Sequence, residues 1–306
     1  MSAKDWFKFL FLGLVWGSSF LWIKLALAEV SPLVLVMFRT GFAFLGLVVV
    51  SFILKPRITR KDLWKYLVLG MFNVAIPFVL ISWAETHISS GMAAILNSTV
   101  PLFTIILAPF FLVEEKFTLR TLAGLVIGFG GVVVLASNEL SGSDALGGLG
   151  IVGMLTAAIL YAGSGIFARI STRGMRADAQ AVGQMGAAFA FILPTTLIVE
   201  SPLHLPTLPL TLTALIWLGI MGSCLSTLVW FSLLNSVGPT RTSMTTYMFP
   251  LVGVLLGWIF LKEIPDWRLV VGGILVIVAV VIVNTRKITP VPLPTIGEEK
   301  IEGENV

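Results

Sequence analysis

The chain has 306 residues, of which 57% are hydrophobic and only 12% are charged, and its mean hydropathy is +0.99. Soluble domains have about 25% charged residues, so this composition excludes a soluble globular protein and predicts a polytopic membrane protein. The net charge of +4 reflects positive loops and gives no indication of nucleic-acid binding. The single cysteine, Cys224, excludes an intrachain disulfide and a thiolate metal cluster.

Ten apolar segments follow one another along the chain, and each is long enough to cross a hydrocarbon core of about 30 Å as a helix. The short connections between them predict that helices adjacent in sequence are also adjacent in space. The segments are predicted at residues 6–28, 32–54, 63–84, 90–113, 118–137, 147–169, 178–200, 210–234, 239–261 and 267–285.

Lysine and arginine concentrate at the N-terminus and in every second connection, whereas the other connections hold only Lys262 and Arg268. Positively charged loops stay in the cytosol during insertion. The bias therefore predicts a multi-pass protein of the inner (plasma) membrane with cytoplasmic N- and C-termini.

The fourth segment, with Pro101 inside its apolar run, is repeated in the ninth, where Pro250 follows 149 residues later. In the first and sixth segments the separation is 145 residues, which aligns Trp16 with Tyr161. Each half of the chain has five helices, and because five is odd the halves must enter the membrane in opposite senses. Further matches at 149 residues are Leu102 with Leu251, Phe111 with Phe260, Glu114 with Glu263, Gly124 with Gly273, and Gly70 with Gly219.

These observations predict an all-α integral membrane protein with ten transmembrane helices arranged as two inverted five-helix repeats. The first repeat is expected at residues 1–137 and the second at 147–287, joined by a turn-rich connecting loop at residues 138–146. Residues 288–306 are rich in proline and glutamate and predict a disordered cytosolic tail.

Three stretches in this order resemble the drug/metabolite transporter superfamily. They are Trp16–Leu27 (WGSSFLWIKLAL), Ser31–Arg39 (SPLVLVMFR), and the helix with Pro101, Glu114 and Gly124 together with its echo in the second half. Within that superfamily the chain is most similar to the EamA family of ten-helix permeases, and the resemblance covers both halves. It implies efflux or exchange of small metabolites such as amino acids through a central cavity between the halves.

The two repeated prolines have no amide hydrogen, so the carbonyls four residues earlier lose their helical hydrogen-bond partners. A free carbonyl in hydrocarbon costs several kcal/mol, which predicts that both places face protein or a water-filled cavity. Polar side chains near both prolines could then bind a polar solute, although a kink that serves only helix packing has the same pattern. The candidate substrate-binding residues of this group are Asn97, Ser98, Pro101, Thr246, Tyr247 and Pro250.

An aromatic and a hydroxyl residue three positions apart lie on one face of the first and of the sixth helix. Such a pair would suit an amphipathic organic solute, but the same helices carry glycines, so a small-residue packing face is an equal alternative. The pairs are Trp16 with Ser19 and Tyr161 with Ser164, and additional candidates on other helices are Asn73 and Trp230.

Two basic residues, Lys24 and Arg39, lie inside predicted spans. Lys24 is near the outer end of its helix, where its amine could snorkel to the headgroups or bind substrate. Arg39 is two turns into the second helix and is a candidate for substrate binding. We expect Glu29 or Glu85, both at the outer face, to be its partner.

No carboxylate lies in the middle of a predicted span, so the sequence contains no argument for proton coupling. Glu114 and Glu263 stand at the ends of the two repeated helices. We expect a structural role for both, in preference to the alternative of gating. In this role they accept hydrogen bonds from the amides that open the next helix, near Thr118 and Asp266.

The residues and the resemblance together predict a secondary-active transporter that works by alternating access. We expect it to export small metabolites, such as amino acids or amphipathic organic solutes. We expect no enzyme activity, cofactor or metal. A small solute and the lipid bilayer are the expected partners, nucleic acid is not, and a homodimer is left open. The alternatives are a passive facilitator or channel, and a sugar-phosphate or nucleotide-sugar exchanger, which would need more cavity cations than Lys24 and Arg39.

Overall fold

The computed structural model describes residues 2–56, 59–111, 118–141, 145–172, 174–237, 242 and 244–284. Over these residues the chain forms ten helical spans, and the predicted all-α membrane fold is confirmed. Eight spans are long and apolar enough to cross a membrane, and the last two are shorter within the described part of the chain. The helices are α1 (Ala3–Ala26), α2 (Pro32–Leu54), α3 (Arg60–Ala84), α4 (Ser90–Phe111), α5 (Leu119–Ser141), α6 (Ala145–Ser171), α7 (Ala177–Val199), α8 (from Pro209 to Val237), α9 (Met248–Leu261) and α10 (Trp267–Asn284).

Side chains that cap free amides determine where several helices begin. Ser2 and Asp5 form a reciprocal capping box at α1. Ser31 accepts a hydrogen bond from an amide of α2, whose first residue is Pro32, and Ser89 does the same for α4. These local signals explain why the predicted starts of α1, α2 and α4 agree with the structure to within a few residues, whereas the ninth span, predicted from residue 239, begins as α9 only at Met248.

The predicted connecting loop at residues 138–146 overlaps the ends of both neighbouring helices. α5 continues to Ser141 and α6 begins at Ala145, so helix extends into this stretch from both sides. Turn-forming residues disfavour helix only weakly. The predicted tail at residues 288–306, and Glu114 with its expected hydrogen bonds, lie outside the described residues.

Helices α2 and α7 show the relation between the repeats most clearly. A Cβ on Gly41 would lie 3.0 Å from the ring of Phe189, and a Cβ on Gly186 would lie 2.8 Å from that of Phe44. Gly186 follows Gly41 by 145 residues, as Phe189 follows Phe44, so one contact is the image of the other. Because the residue number rises along α2 as it falls along α7, the two counterparts run antiparallel, which an inverted repeat requires.

Two further pairs of counterparts, α4 with α9 and α5 with α10, are also antiparallel. A Cβ on Gly128 would lie 3.0 Å from Ala279, and a Cβ on Gly131 would lie 2.8 Å from the carbonyl oxygen of Gly272. The α4–α9 contacts are those of Ser90 with Gly257 and of Ala94 with Gly253. Glycines at these places let the helices approach closely, and the predicted inverted arrangement is confirmed.

The prediction that helices adjacent in sequence are adjacent in space is wrong for most of the bundle. Helix α1 packs against α8 and α9 of the other half, and α6 packs against α3 and α4. The two halves therefore interlock. A short connection fixes only the distance between two helix ends, whereas the apolar and small-residue faces choose the partner.

Candidate functional site

Helix α4 is interrupted at the predicted place. It is helical from Ser90 to Asn97, turns at Ser98 and Thr99, and resumes at Val100. The hydroxyl groups of Ser98 and Thr99 donate to carbonyls of the preceding turn, each at 2.6 Å. They therefore satisfy backbone groups at the break, which is one outcome expected of a proline kink. Pro101 itself is half-buried.

Asn97 differs from its neighbours at this break. Its side-chain oxygen is buried and accepts no hydrogen bond from the described residues. A buried acceptor without a partner is costly, and in native structures it often marks a place where a ligand or water binds. Of the polar side chains just before Pro101, Asn97 is thus the one with a buried acceptor that no described residue satisfies.

The equivalent break before α9 is built differently. A 3₁₀ turn, Met244–Tyr247, precedes the helix, and Pro250 is buried within the first turn of α9. The Tyr247 hydroxyl donates to the carbonyl of Val280 on α10 at 3.0 Å. Tyr247 therefore links α9 to α10, and Thr246 is half-buried beside it.

Two π-helical segments, in α3 (Gly70–Ala75) and in α8 (Trp217–Leu225), are features that the sequence did not predict. A π-helical turn widens the helix and often occurs at functional sites. Gly70 and Gly219, which the repeat aligns with each other, lie within them. A Cβ on Gly70 would be 2.7 Å from the carbonyl oxygen of Gln184, so glycine is needed for this close approach to α7. The match between Gly70 and Gly219 was the one feature of the sequence that pointed to these two places.

A chain of hydrogen bonds connects α6, α3 and α7 at the first π-helical segment. The hydroxyl of Ser164 lies 3.0 Å from the side-chain oxygen of Asn73 and shares its proton with the carbonyl of Leu160 on its own helix, at 2.6 Å. The Asn73 amide donates to the side-chain oxygen of Gln184 at 3.2 Å. Ser164 and Gln184 are buried. The structure thus brings together two predicted site residues, Ser164 and Asn73, and adds Gln184.

Side chains of α1 and α2 form hydrogen bonds to the second π-helical segment. The indole nitrogen of Trp16 donates to the carbonyl oxygen of Gly222 at 3.0 Å, and Nε of Arg39 donates to the hydroxyl of Ser223 at 3.0 Å. Ser19 lies beside them, because a Cβ on Gly222 would be 3.4 Å from its hydroxyl oxygen. The second π-helical segment of α8 is therefore contacted by Trp16, Ser19 and Arg39.

The two groups of polar residues are images of each other under the repeat. Tyr161 follows Trp16 by 145 residues, as Ser164 follows Ser19 and Gln184 follows Arg39. The separation that aligned the first two pairs in the sequence also identifies Gln184. Tyr161 is half-buried on α6. Trp230 is half-buried on α8, beyond the π-helical segment.

Arg39 has surroundings other than those expected. Its guanidinium lies over the ring of Phe78, 3.8 Å from the centroid, and the side chain is buried. The expected pairing with Glu29 is wrong, because Glu29 accepts hydrogen bonds from Thr207 and from the amide of Leu208 at the start of α8. Glu85 interacts with Arg39 electrostatically but makes no hydrogen bond to it.

Lys24 and Glu263 hold helix ends at the face predicted to be outer, which we call the outer end. The Lys24 amine donates to the carbonyls of Glu85 and Ile88 at 2.5 and 2.8 Å, at the negative end of α3. Lys24 therefore bonds to the backbone of α3, in place of the snorkelling that the sequence allows.

Glu263 has the structural role that was expected, but the predicted partner is wrong. It accepts hydrogen bonds from the amide and hydroxyl of Ser90, at 3.1 and 2.7 Å, at the start of α4. Asp266 already caps α10 through the amide of Leu269, and the antiparallel packing of α4 and α9 brings Ser90 to Glu263.

Comparison with known proteins supports transport. This chain is similar to an "Uncharacterized transporter" of Archaeoglobus fulgidus, with 29% identity over 287 residues that cover 93% of this chain and 100% of that protein. It is similar to "Protein PecM" of Dickeya dadantii, with 29% identity covering 72% of this chain and 74% of that protein. It is also similar to a "Probable terminal-alkyne amino-acid exporter" of Streptantibioticus cattleyicolor, with 26% identity covering 89% and 90%.

One solved crystal structure has the same fold, with a TM-score of 0.67 and 16% identity, covering 92% of this chain and 96% of that one. The model of the EamA-like transporter family matches residues 6–137 and again residues 148–285, once in each half. The chain therefore belongs to the EamA-like transporter family and is a multi-pass membrane transporter of the drug/metabolite superfamily.

Proposed function

We propose that this protein is a secondary-active transporter of the plasma membrane that exports small metabolites, in particular amino acids or amphipathic organic solutes, by alternating access. The observation that carries the proposal is the pair of buried polar groups at the π-helical segments of α3 and α8. Polar and charged side chains at membrane depth are costly and usually serve a transported solute. The "Probable terminal-alkyne amino-acid exporter" of Streptantibioticus cattleyicolor supports an amino-acid substrate through its name alone.

The chemistry of the groups suits a zwitterion with an apolar side chain. Arg39 uses Nε for Ser223, and within the described residues its two terminal nitrogens bind no protein acceptor. They are positioned for a carboxylate, which a guanidinium binds with two parallel hydrogen bonds. The unpartnered oxygen of Asn97 is an acceptor for an ammonium group. Trp16 and Tyr161 offer flat apolar surfaces for the rest of the solute.

Transport of phosphorylated solutes is less well supported. A sugar phosphate needs several cations, and Lys24 already donates to the carbonyls of Glu85 and Ile88. Arg39 is then the one cation near the polar groups of α3 and α8 among the described residues. A passive facilitator would share all these contacts, and accumulation against a gradient separates the two.

The test is uptake by proteoliposomes of labelled amino acids and organic cations, with and without an imposed pH gradient. We expect accumulation of at least one zwitterionic solute, and a reduced rate for Tyr161→Ala at unchanged protein content. Uptake that only equilibrates the solute would indicate a facilitator. Full activity of Tyr161→Ala would remove this residue from the proposed site.

A further inference from the structure

Glu85 is the most unusual charged residue in the described part of the chain. It directly follows the last residue of α3 and is completely buried, with 0% of its surface exposed. Neither carboxylate oxygen has a hydrogen-bond partner among the described residues. The hydroxyl of Ser82, one turn earlier on α3, is also buried without a partner. An acid and a hydroxyl are thus both buried at this end of α3 without hydrogen-bond partners from the described residues.

Among the described residues, no helix that packs around Glu85 supplies a cation that forms an ion pair with its carboxylate. Lys24 of α1 donates to the backbone carbonyl of Glu85 and not to its side chain. Arg39 of α2 and Glu263 after α9 act on it electrostatically, with opposite signs. His87 follows in the same turn and packs against Trp83. Helix α6, which packs on the end of α3, has glycines at this level, Gly150 and Gly153.

These surroundings disfavour the charged form of Glu85. An ionised carboxylate that is buried without hydrogen bonds loses its hydration and gains little in return. Its place at the C-terminal end of α3 adds the negative end of the helix dipole. Burial raises the pKa of Glu85 well above the ordinary value, although Lys24 and Arg39 act in the other direction.

Hydrogen bonds join the two halves at the same end of the bundle as Glu85. Glu29 of the first half bonds to Thr207 and Leu208 of the second, and Glu263 of the second half bonds to Ser90 of the first. Contacts between the halves therefore hold this end together, and breaking them would let water reach Glu85.

We propose that Glu85 is a proton-binding site coupled to the outer end of the transporter, binding one proton when this end closes and releasing it to water when it opens. The reaction is the protonation of one carboxylate by a proton from the outer solution, with no other bond formed or broken. Since proton binding and closure favour each other, external acid promotes the closed state. The inference rests on the proposed function, because it assigns a step of the transport cycle.

The first experiment needs no substrate. Infrared spectra of the purified protein in liposomes are recorded over a pH series, and the band of protonated carboxyl groups is followed. We expect one component that persists far above the pH at which ordinary carboxyls ionise, and that is absent in Glu85→Gln. Glu200→Gln is the matched control, since Glu200 also follows the last residue of an outer helix end, that of α7. Loss of the whole band near pH 4.5 would overturn the proposal, as would a persistent component in Glu85→Gln.

The second experiment measures exchange of a mixture of labelled amino acids across proteoliposomes as a function of external pH. For a single coupled proton the wild-type rate can change by up to about tenfold per pH unit. Glu85→Gln, a neutral side chain of the same size, should transport with a rate that no longer depends on pH, and Glu200→Gln should behave as the wild type. Equal pH dependence in all three would overturn the proposal. If wild-type protein transports none of the amino acids, the proposed substrate class fails, and the infrared titration still decides on Glu85.

Discussion

Arg39 on α2 and Gln184 on α7 occupy equivalent places in the two repeats, and each contacts a π-helical segment of the opposite half. Arg39 donates to Ser223 of α8, and Gln184 accepts from Asn73 of α3. The scaffold is symmetric but its chemistry is not, because one member is a cation and the other a neutral amide. This difference gives the bundle a single positively charged residue at the level of these contacts, among the described residues, and predicts one oriented solute between the halves.

Replacing Arg39 by glutamine tests this asymmetry, because it gives α2 the residue that stands at the equivalent place of α7. We expect a folded protein whose transport of zwitterions falls about tenfold or more, since a hydrogen bond to a charged group contributes about 1.5–3 kcal/mol. Uptake of labelled amino acids measures the effect. Arg268→Gln, at the outer end of α10, is the control. Unchanged uptake by Arg39→Gln would show that the guanidinium only supports packing against Phe78.

Asn97→Ala removes the unpartnered acceptor at the break in α4. Because this oxygen makes no hydrogen bond within the described residues, its loss should not lower the melting temperature, whereas transport should fall about fivefold for a lost bond of about 1 kcal/mol. Thr104→Val, which removes a hydroxyl bonded to its own helix, is the control and should transport normally. A variant that melts earlier but transports at the normal rate per folded molecule would contradict the binding role.

Pro101→Ala restores an amide for the Asn97 carbonyl and should straighten α4. We expect normal membrane insertion and an altered transport rate, because the break would no longer open the backbone to the solute. Membrane content by immunoblot and initial uptake rate, measured on the same preparation, separate the two effects. A change in stability alone would favour a kink that serves packing.

Gly131→Ala should weaken the contact between α5 and α10. Its added methyl group would lie 2.8 Å from the carbonyl oxygen of Gly272, and overpacking of this kind costs about 1–3 kcal/mol. The neighbouring Gly130 has no atom within 4 Å of such a group, so Gly130→Ala is a matched control that should be neutral. Thermal unfolding in detergent measures both. Equal melting temperatures for the two variants would contradict the close packing of these helices.

The hydrogen bonds of Glu29 predict that the folded protein becomes less stable in acid. Hydrogen bonds from Thr211 and Thr207 lower its pKa from 4.5 to about 2. A carboxylate with a lowered pKa stabilises the fold above its ordinary pKa, and this contribution disappears as the pH falls from about 4.5 to about 2. Melting temperatures over this range should decline less in Glu29→Gln than in the wild type. Parallel curves would show that the link between Glu29 and α8 adds nothing.

Several residues show where prediction from the sequence stopped. The repeat aligned Trp16 with Tyr161 and Ser19 with Ser164, and the structure brings their helices to equivalent π-helical segments. Gln184 could have been found by carrying the same separation of 145 residues from the first helix to the second. The hydrogen bond between Glu263 and Ser90 could not, because it depends on the helix that packs beside α9 and not on the next helix in the chain.

The sequence by itself determined the ten spans, the two five-helix repeats and their opposite directions. Those properties depend on the length of apolar runs and on a regular separation between matching residues, which are local or linear features. Only the tertiary structure decided that the halves interlock, that Arg39 contacts Ser223 and that Glu85 is sealed from water. Burial and pairing arise where helices from distant parts of the chain meet, so a glutamate at a helix end, ordinary in the sequence, becomes a proton-binding candidate in the fold.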